Sequence, residues 1–265
     1  MDHSSGVCSI RRLGGVALGE HRRKAVFFLD ELQKLRYIRG MSADKKPYLH
    51  WDEKTITDFA PKSVQKMYTD GWVFTRIGRG VMHQTRSLRI DLSKFELTSE
   101  NRRILKKLQY IDLMSAKLPY NNYSWIVGKM AKDFYEKKFG ANIMTANKIR
   151  ELVTDADMSN FNTLLIYCGQ GYCISYADDA ILHYSYPFYD LARSTKDMGM
   201  GMMIQAIVHA KESGLNYIYL GSLQRPGDVY KLQFRGIEWF DGGLGKVGTW
   251  RTDTEEIKKI LHESK

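Results

Sequence analysis

The sequence predicts a mixed α/β fold in which helices flank a mixed sheet and a smaller N-terminal α/β domain precedes it. The chain has 265 residues, of which 43% are hydrophobic and 12% aromatic, enough for a substantial core. Segments of helical periodicity are interspersed with short β-branched and aromatic runs. Pro119 and the paired asparagines 121 and 122 predict a boundary between a domain over 46–120 and one over 121–265.

Composition and charge indicate which partners, metal sites and cellular compartments are expected. The net charge is +10 and the pI about 9.3, as expected of a protein that meets nucleic acid or an anionic membrane, although an ordinary basic surface fits equally well. The cysteines at 8, 168 and 173 have no metal-ligand spacing and an odd count, so neither a metal site nor a disulfide framework is expected. No segment approaches the roughly 20 apolar residues of a bilayer span. We therefore expect a soluble, cytoplasmic protein without a membrane partner.

Residues 1–45 are interpreted as a peripheral extension. Arginines and glycines are mixed there without a clear period, and apolar residues at helical spacing begin only near residue 25. Asp2 and Glu20 count against a transit peptide, and Met41 is an alternative start.

The predicted elements of the first domain are a helix, a hairpin and a basic helix. Residues 55–70 read as a helix with Pro61 in its first turn. The runs 72–78 and 80–92 alternate around "GRG" and predict an antiparallel hairpin. Residues 99–114 begin with serine and continue as a basic amphipathic helix.

The sequence of the second domain predicts the following elements in order: helix, helix, three strands, helix, strand, short helix and strand. Their ranges are 124–140, 145–155, 162–168, 171–177, 180–191, 197–215, 216–221, about 227–234 and about 237–240.

Gly199 and Gly201 stand at the start of the helix predicted over 197–215, although glycine costs a helix interior about 1 kcal/mol relative to alanine. A strand, a turn with small residues and a helix present free backbone N–H groups at a positive dipole end. From Lys196 the stretch reads K-x-x-G-x-G, which resembles the Q/R-x-x-G-x-G/A signature of the GCN5-related acyltransferase fold. The resemblance implies a turn that holds the pyrophosphate of an acyl carrier; close packing of the helix is the alternative.

More of the chain resembles the aminoacyl-tRNA–protein transferases, over about 47–245. The C-terminal motifs are "FYDL" (188–191), "AKESGLNYIYLG" (210–221) and "VYKLQFRGIEWFDGG" (229–243). The N-terminal ones are "DGWVFTRIG" (70–78) and "RSLRIDLSKFELTSENRRILKK" (86–107). Arginyl-transferring members carry cysteine pairs linked to an iron–sulfur cluster or redox control. Here "VMHQT" (81–85) stands in place of the later pair, so the resemblance implies the transferase fold without the cluster.

The resemblance implies transfer of an amino acid from aminoacyl-tRNA to a protein N-terminus, either arginine onto an acidic residue or leucine onto a basic one. No cofactor is implied beyond aminoacyl-tRNA as co-substrate. The ester is activated and the α-amine has a pKa of about 7.7 to 8, so the reaction needs positioning, oxyanion stabilisation and a weak base.

Motif positions give the candidate catalytic residues. Asp190 matches the family's YD and is expected to orient or deprotonate the amine, with a turn cap as the alternative. Tyr230 matches the YK pair as acid or oxyanion donor, with a half-buried helix residue as the alternative. Lys231 is expected to contact a phosphate or carboxylate. The other candidate substrate-binding residues are Lys196, Gly199, Met200, Gly201 and Tyr219.

A basic run is the candidate tRNA-binding surface: Arg102, Arg103, Lys106 and Lys107. These cations lie three and four residues apart, along one helical face. A solvated basic face is the alternative. The histidines at 50, 83 and 183 are expected to be satisfied core or surface residues.

Other functions remain open. An acetyl-CoA-dependent N-acetyltransferase would use the glycine turn for the pyrophosphate. A tRNA-dependent peptide ligase also carries a tyrosine-lysine element. A nucleic-acid-binding module without activity is a further alternative.

Overall fold

The computed structural model describes residues 48–243 and 245–263, which belong to one compact unit. The peripheral extension predicted over 1–45, and Cys8 within it, lies outside the described residues. The described helices are α1 (Pro61–Thr69), α2 (Ser99–Lys107), α3 (Trp125–Phe139), α4 (Ala146–Thr154), α5 (Met198–Glu212), a 3-10 helix (Pro226–Gln233) and α6 (Thr254–Glu263).

The strands form two sheets. They are β1 (Asp52–Thr55), β2 (Trp72–Phe74), β3 (Val81–Gln84), β4 (Ser87–Asp91), β5 (Leu113–Lys117), β6 (Thr163–Tyr167), β7 (Gly171–Ala177), β8 (Ile181–Tyr189), β9 (Tyr217–Ser222), β10 (Ile237–Asp241) and β11 (Thr249–Arg251). The large sheet has eight strands in the order β11-β10-β4-β9-β8-β7-β6-β5, and the small one has three in the order β1-β3-β2. In the large sheet β8 and β9 are parallel, while its other described pairs are antiparallel.

A hydrophobic core lies on each face of the large sheet. Alternate residues of β9, and of β8 up to Tyr184, belong to different cores, as the two-residue period of a strand requires. An irregularity in the β7–β8 pairing at Ser185 then moves Tyr186 and Phe188 to the second core. One core contains α2, α5 and α6; the other contains α1, the small sheet, α3 and α4. The predicted fold class, a mixed sheet flanked by helices, is confirmed.

From 121 to 241 the predicted order of elements is confirmed, with ends shifted by at most a few residues. Upstream, three predictions were wrong. The helix predicted over 55–70 begins only at Pro61, because Asp52–Thr55 pairs with β3. The helix predicted over 99–114 ends at Lys107, because Leu113–Lys117 pairs with β6 as the outermost strand. The antiparallel hairpin predicted around "GRG" is confirmed as β2 and β3, but the strand predicted over 80–92 divides into β3 and β4, which lie in different sheets.

The sequence prediction also missed β11 and α6. The large sheet takes β4 and β5 from the segment before residue 120 and β6 to β11 from the segment after it. The predicted boundary at 120 therefore does not separate the two sheets.

Helix α2 is placed by its cap and by its contact with α5. Thr98 Oγ1 accepts a hydrogen bond from Asn101 N at 3.1 Å, and Asn101 Oδ1 accepts one from Thr98 N at 3.2 Å. Where α2 crosses α5, a Cβ on Gly201 would overlap the side chain of Leu108. Gly201 therefore allows two helices to pack closely, which was the alternative interpretation of this glycine.

We expect Gly201→Ala to lower the free energy of unfolding by about 1–3 kcal/mol more than Gly199→Ala does, because the new methyl group overlaps buried Leu108. A Cβ on Gly199 would lie 3.3 Å from the ring of Tyr189, a tight but accommodated contact. Both residues lie in the first turn of α5, so alanine gains about the same helix propensity at either position. This gain therefore cancels when the two variants are compared. Urea unfolding of the two variants measures the difference; equal losses would contradict the packing role.

Candidate functional site

The candidate site lies where β8 and β9 separate. Their parallel pairing covers Ile181–His183 and Tyr217–Tyr219 only. Beyond that point β8 continues along β7 to Tyr189, and β9 continues along β4 to Ser222. Beyond His183 and Tyr219, the facing edges of β8 and β9 are therefore not paired with each other. We call the space between these two edges the gap.

Lys231 reaches this gap from the 3-10 helix. Its Nζ donates hydrogen bonds to the carbonyl oxygens of Leu220 at 3.1 Å and Ser222 at 3.3 Å. Burial lowers the pKa of Lys231, and Asp228 opposes the shift. The gap thus holds an ammonium group bonded to two carbonyls, a source of positive charge for a developing anion.

His183, at the last paired position of β8, is a buried neutral residue. Its Nδ1 lies 2.8 Å from the hydroxyl of Tyr68, which itself accepts a hydrogen bond from Phe74 N at 3.4 Å. The tautomer of the imidazole decides which of the two, Nδ1 or the Tyr68 hydroxyl, donates this hydrogen bond. Burial lowers the pKa of His183 to about 3, and the charge of Lys231 contributes. The expectation of a satisfied core histidine is confirmed.

Tyr230 lies beside the start of α5, with 45% of its surface exposed. Partial burial raises the pKa of its phenol to about 12, and the nearby groups Asp228 and Tyr189 contribute. The hydroxyl therefore keeps its proton at neutral pH and can donate it. Gln233 links this tyrosine to α5, because its Nε2 lies 2.7 Å from Tyr230 O and 3.6 Å from the sulfur of Met200.

The N-terminus of α5 is already paired with charge. Asp197 immediately precedes the helix and lies 2.7 Å from Lys107 Nζ and 3.9 Å from a guanidinium nitrogen of Arg103. The hydrogen bond from Lys107 lowers the pKa of Asp197, so the carboxylate stays ionised. An anion at this helix end would meet a carboxylate beside the free N–H groups of the first turn.

Several predicted site residues lie elsewhere. Asp190 Oδ1 accepts a hydrogen bond from Ala192 N at 2.9 Å, and Oδ2 lies 3.6 Å from Arg193, as in the turn cap weighed for it. Lys196 is exposed. Tyr219 is 1% exposed and packs edge-to-face on Tyr68 at 4.8 Å between ring centroids, so it lies in the core and not on a surface that a substrate reaches.

The structure thus brings Tyr230, Lys231, Gly199 and Met200 together around the gap and the start of α5. Gly201 faces α2 instead.

The predicted tRNA-binding residues share the exposed side of α2 but differ in their partners. Arg103 is paired with Glu100, and Lys107 with Asp197. Arg102 donates to the carbonyl of Leu97 at 2.6 Å. Among the described residues, Lys106 has no ion pair within 4 Å. Arg102 and Lys106 are therefore the cations of this run that no carboxylate neutralises.

Sequence reasoning missed a polar network at the end of β9. The hydroxyls of Tyr48 and Ser222 lie 2.8 Å apart, and Gln224 Nε2 donates to Ser222 Oγ at 2.8 Å. Gln224 Oε1 also accepts from Leu49 N at 2.6 Å. The network ties the segment before β1 to the strand whose carbonyls bind Lys231, a long-range contact for which the sequence carries no signal.

A second histidine cluster lies on the small sheet. His83 Nε2 is 2.9 Å from Glu53 Oε2, and the rings of His83 and His50 stack at 4.3 Å. Burial lowers the pKa of His83, and Glu53 opposes the shift. Within the described ranges, no group of three or more His, Cys, Asp or Glu side chains could hold a metal ion.

In the described part of the chain, no helix has the length and apolar character needed to cross a bilayer.

Comparisons by sequence found no matching family model and no matching curated protein. Solved structures similar to this chain include the C-terminal domain of a protein designated a lysylphosphatidylglycerol synthetase from Agrobacterium fabrum (11% identity, TM-score 0.39, 65% of this chain and 55% of that one). Another is L-PGS from Bacillus licheniformis (10%, 0.39, 76% and 70%). A third is the GCN5-related glucosamine N-acetyltransferase region of a fungal multi-domain GH3 beta-N-acetylglucosaminidase (11%, 0.38, 76% and 24%). The chain thus spans about half of the first of these structures.

The burial of neutral His183 makes stability depend on pH. Its pKa of about 3 in the folded protein lies below the value of about 6.5 in the unfolded chain, which therefore binds the proton first as the pH falls. The contribution of His183 to the free energy of unfolding is complete above about pH 6.5 and is lost progressively towards pH 3. We expect His183→Gln to lose about 2 kcal/mol less unfolding free energy than the wild type between pH 7 and pH 5. Urea unfolding at both pH values measures this, and identical losses would contradict it.

Proposed function

We propose that this chain is an aminoacyltransferase that moves an amino acid from aminoacyl-tRNA to the N-terminal α-amine of a protein. The observation that carries the proposal is the gap between β8 and β9, which places Lys231 inside the sheet and Tyr230 at its edge. Both residues come from the stretch "VYKLQFRGIEWFDGG" (229–243), which resembles the aminoacyl-tRNA–protein transferases. The same resemblance makes arginine or leucine the transferred residue.

The reaction requires only charge stabilisation and proton transfer from this site. The amine nitrogen attacks the ester carbonyl carbon, the new amide bond forms, and the bond to the ribose oxygen breaks. The ammonium of Lys231 stabilises the negative charge on the carbonyl oxygen. Tyr230 gives its proton to the leaving ribose oxygen and recovers one from the amine. Asp190, whose carboxylate caps the turn at Ala192, has no role in this scheme.

The charge at the start of α5 favours a tRNA donor over an acyl carrier. The carboxylate of Asp197 lies at the helix end where the alternative function would place a pyrophosphate, and its ion pairs with Lys107 and Arg103 already occupy the cations nearest that end. A tRNA donor needs no pyrophosphate there. Its phosphates would contact the outer side of α2 instead, through Arg102 and Lys106.

A transfer assay tests the proposal. The full chain is incubated with labelled arginyl-tRNA, leucyl-tRNA or acetyl-CoA, together with peptides that begin with an acidic, a basic or a neutral residue. We expect label to pass from aminoacyl-tRNA to the peptide α-amine, and a peptide with a blocked N-terminus is the matched control. Label passing only from acetyl-CoA would establish the alternative, and tRNA binding without transfer would indicate a binding module.

Removing either donor in the gap should slow transfer. We expect Lys231→Met and Tyr230→Phe each to lower kcat/KM by about 100-fold, because each removes charge stabilisation or a proton donor for the transition state. Lys258→Met on α6 is the control, since Lys258 lies beside Glu255 on another surface. Steady-state kinetics measure the effect; wild-type rates in both gap variants would rule out the proposed roles.

The role of α2 is tested separately by the salt dependence of tRNA binding. We expect the double variant Arg102→Ala, Lys106→Ala to bind more weakly and to reduce the slope of log K against log salt by about 1 to 2, because two phosphate contacts are lost. The matched control, Lys258→Ala with Lys259→Ala, removes the same charge from α6. A slope equal to that of the control would refute the role of α2.

A further inference from the structure

Strand β9 carries a one-residue bulge beside the gap. Its pairing with β4 shifts register between Tyr219 and Ser222. Across this shift, Leu220 and Gly221 of β9 lie opposite the single residue Leu88 of β4. Gly221 has a φ of 76°, in the left-handed region that glycine adopts without the strain that other residues meet. The bulge therefore depends on glycine at this position.

The bulge lies between the two carbonyl groups that bind Lys231. In a regular strand, carbonyl oxygens two residues apart point to the same edge and are about 6.6 Å apart. One ammonium nitrogen could reach both only by lying midway between them, where its tetrahedral N–H bonds cannot point at both oxygens. The carbonyls of Leu220 and Ser222 nevertheless lie 3.1 and 3.3 Å from Lys231 Nζ. The extra residue, Gly221, therefore brings the two oxygens close enough to hold one ammonium group.

Two hydrogen bonds to backbone acceptors fix the direction of the third N–H of this group. Lys231 is only partly buried, and its third N–H has no acceptor among the described residues. Gly221 lies beside the group, because a Cβ added to it would be 4.0 Å from Nζ. The shape of the bulge thus decides where the remaining donor points.

We propose that Gly221 is a positioning residue for Lys231, whose ammonium group the bulge holds with one N–H directed into the gap, towards the carbonyl oxygen of the transferred acyl group. A donor that is held in place stabilises a developing oxyanion better than a mobile one, because no reorganisation is needed as the charge forms. The consequence for catalysis rests on the acyl transfer proposed above, whereas the hold on Lys231 is independent of it.

Alanine at position 221 is expected to turn one of the two carbonyls away. Rotation to a negative φ relieves its strain and turns the peptide group that carries the Leu220 carbonyl. Asparagine tolerates a positive φ better than other non-glycine residues, so Gly221→Asn is expected to keep the bulge. Gly214→Ala is the matched control, because Gly214 has the same φ of 76° in an exposed turn where a Cβ meets nothing within 4 Å.

The hold on Lys231 is tested without substrate, by following the pH titration of ¹³C-labelled lysine side chains by NMR, with Lys231→Met to assign the signal. Hydrogen bonds to carbonyls favour the charged ammonium, so the loss of one lowers the pKa of Lys231. Asp228 and His183 also interact electrostatically with Lys231, and no glycine variant alters them. We expect a lower pKa in Gly221→Ala and the wild-type pKa in Gly221→Asn and Gly214→Ala. An unchanged pKa in Gly221→Ala, or an equal fall in either of the other variants, would overturn the proposal.

The same variants are then compared in the transfer assay, at a temperature where all are folded. We expect Gly221→Ala to lower kcat by about 10- to 100-fold with little change in KM, and the other two variants to retain the wild-type kcat. A wild-type kcat in Gly221→Ala would overturn the positioning role and leave the proposed function standing. A wild type that transfers neither aminoacyl nor acetyl groups would overturn the proposed function, and the NMR titration alone would then decide whether the bulge holds Lys231.

Discussion

The separation of β8 and β9 is the constraint on which the rest of the structure depends. Two parallel strands that pair over three residues and then take different partners leave carbonyl groups without strand hydrogen bonds in the middle of a sheet. Lys231 satisfies two of these groups at Leu220 and Ser222. One ammonium group thus binds two backbone carbonyls and places a positive charge in the gap.

The two faces of the large sheet surround the gap with different side chains. On one face, Tyr68 holds neutral His183 in a dry aromatic core, which stabilises the edge of the gap at neutral pH. On the other face, Tyr184, Tyr167 and the start of α5 surround the same edge with phenol groups. Because α2 packs on α5 at Gly201, the basic run and the start of α5 lie in one layer on the same face of the large sheet.

Much of the fold could be predicted from local patterns, and the exceptions share a cause. Helices α3, α4 and α5 and strands β6 to β9 carry clear periodicity and turn residues, so their order was confirmed. Strands β1, β5 and β11 escaped prediction because edge strands are short and bury few side chains on either face. Tyr230 and Lys231 came from a motif, whereas no motif or period marks the contact of Gln224 with Leu49.

The sequence by itself determined the class of fold, the order of elements after residue 121 and the motif residues at the gap, because periodicity, turn residues and motifs are local properties. Only the tertiary structure decided what Gly201 is for, since the overlap with Leu108 depends on a helix almost a hundred residues away in the chain. It also decided that Asp197 neutralises part of the basic run. Hydrogen bonds and packing between distant segments leave no periodic trace in the sequence.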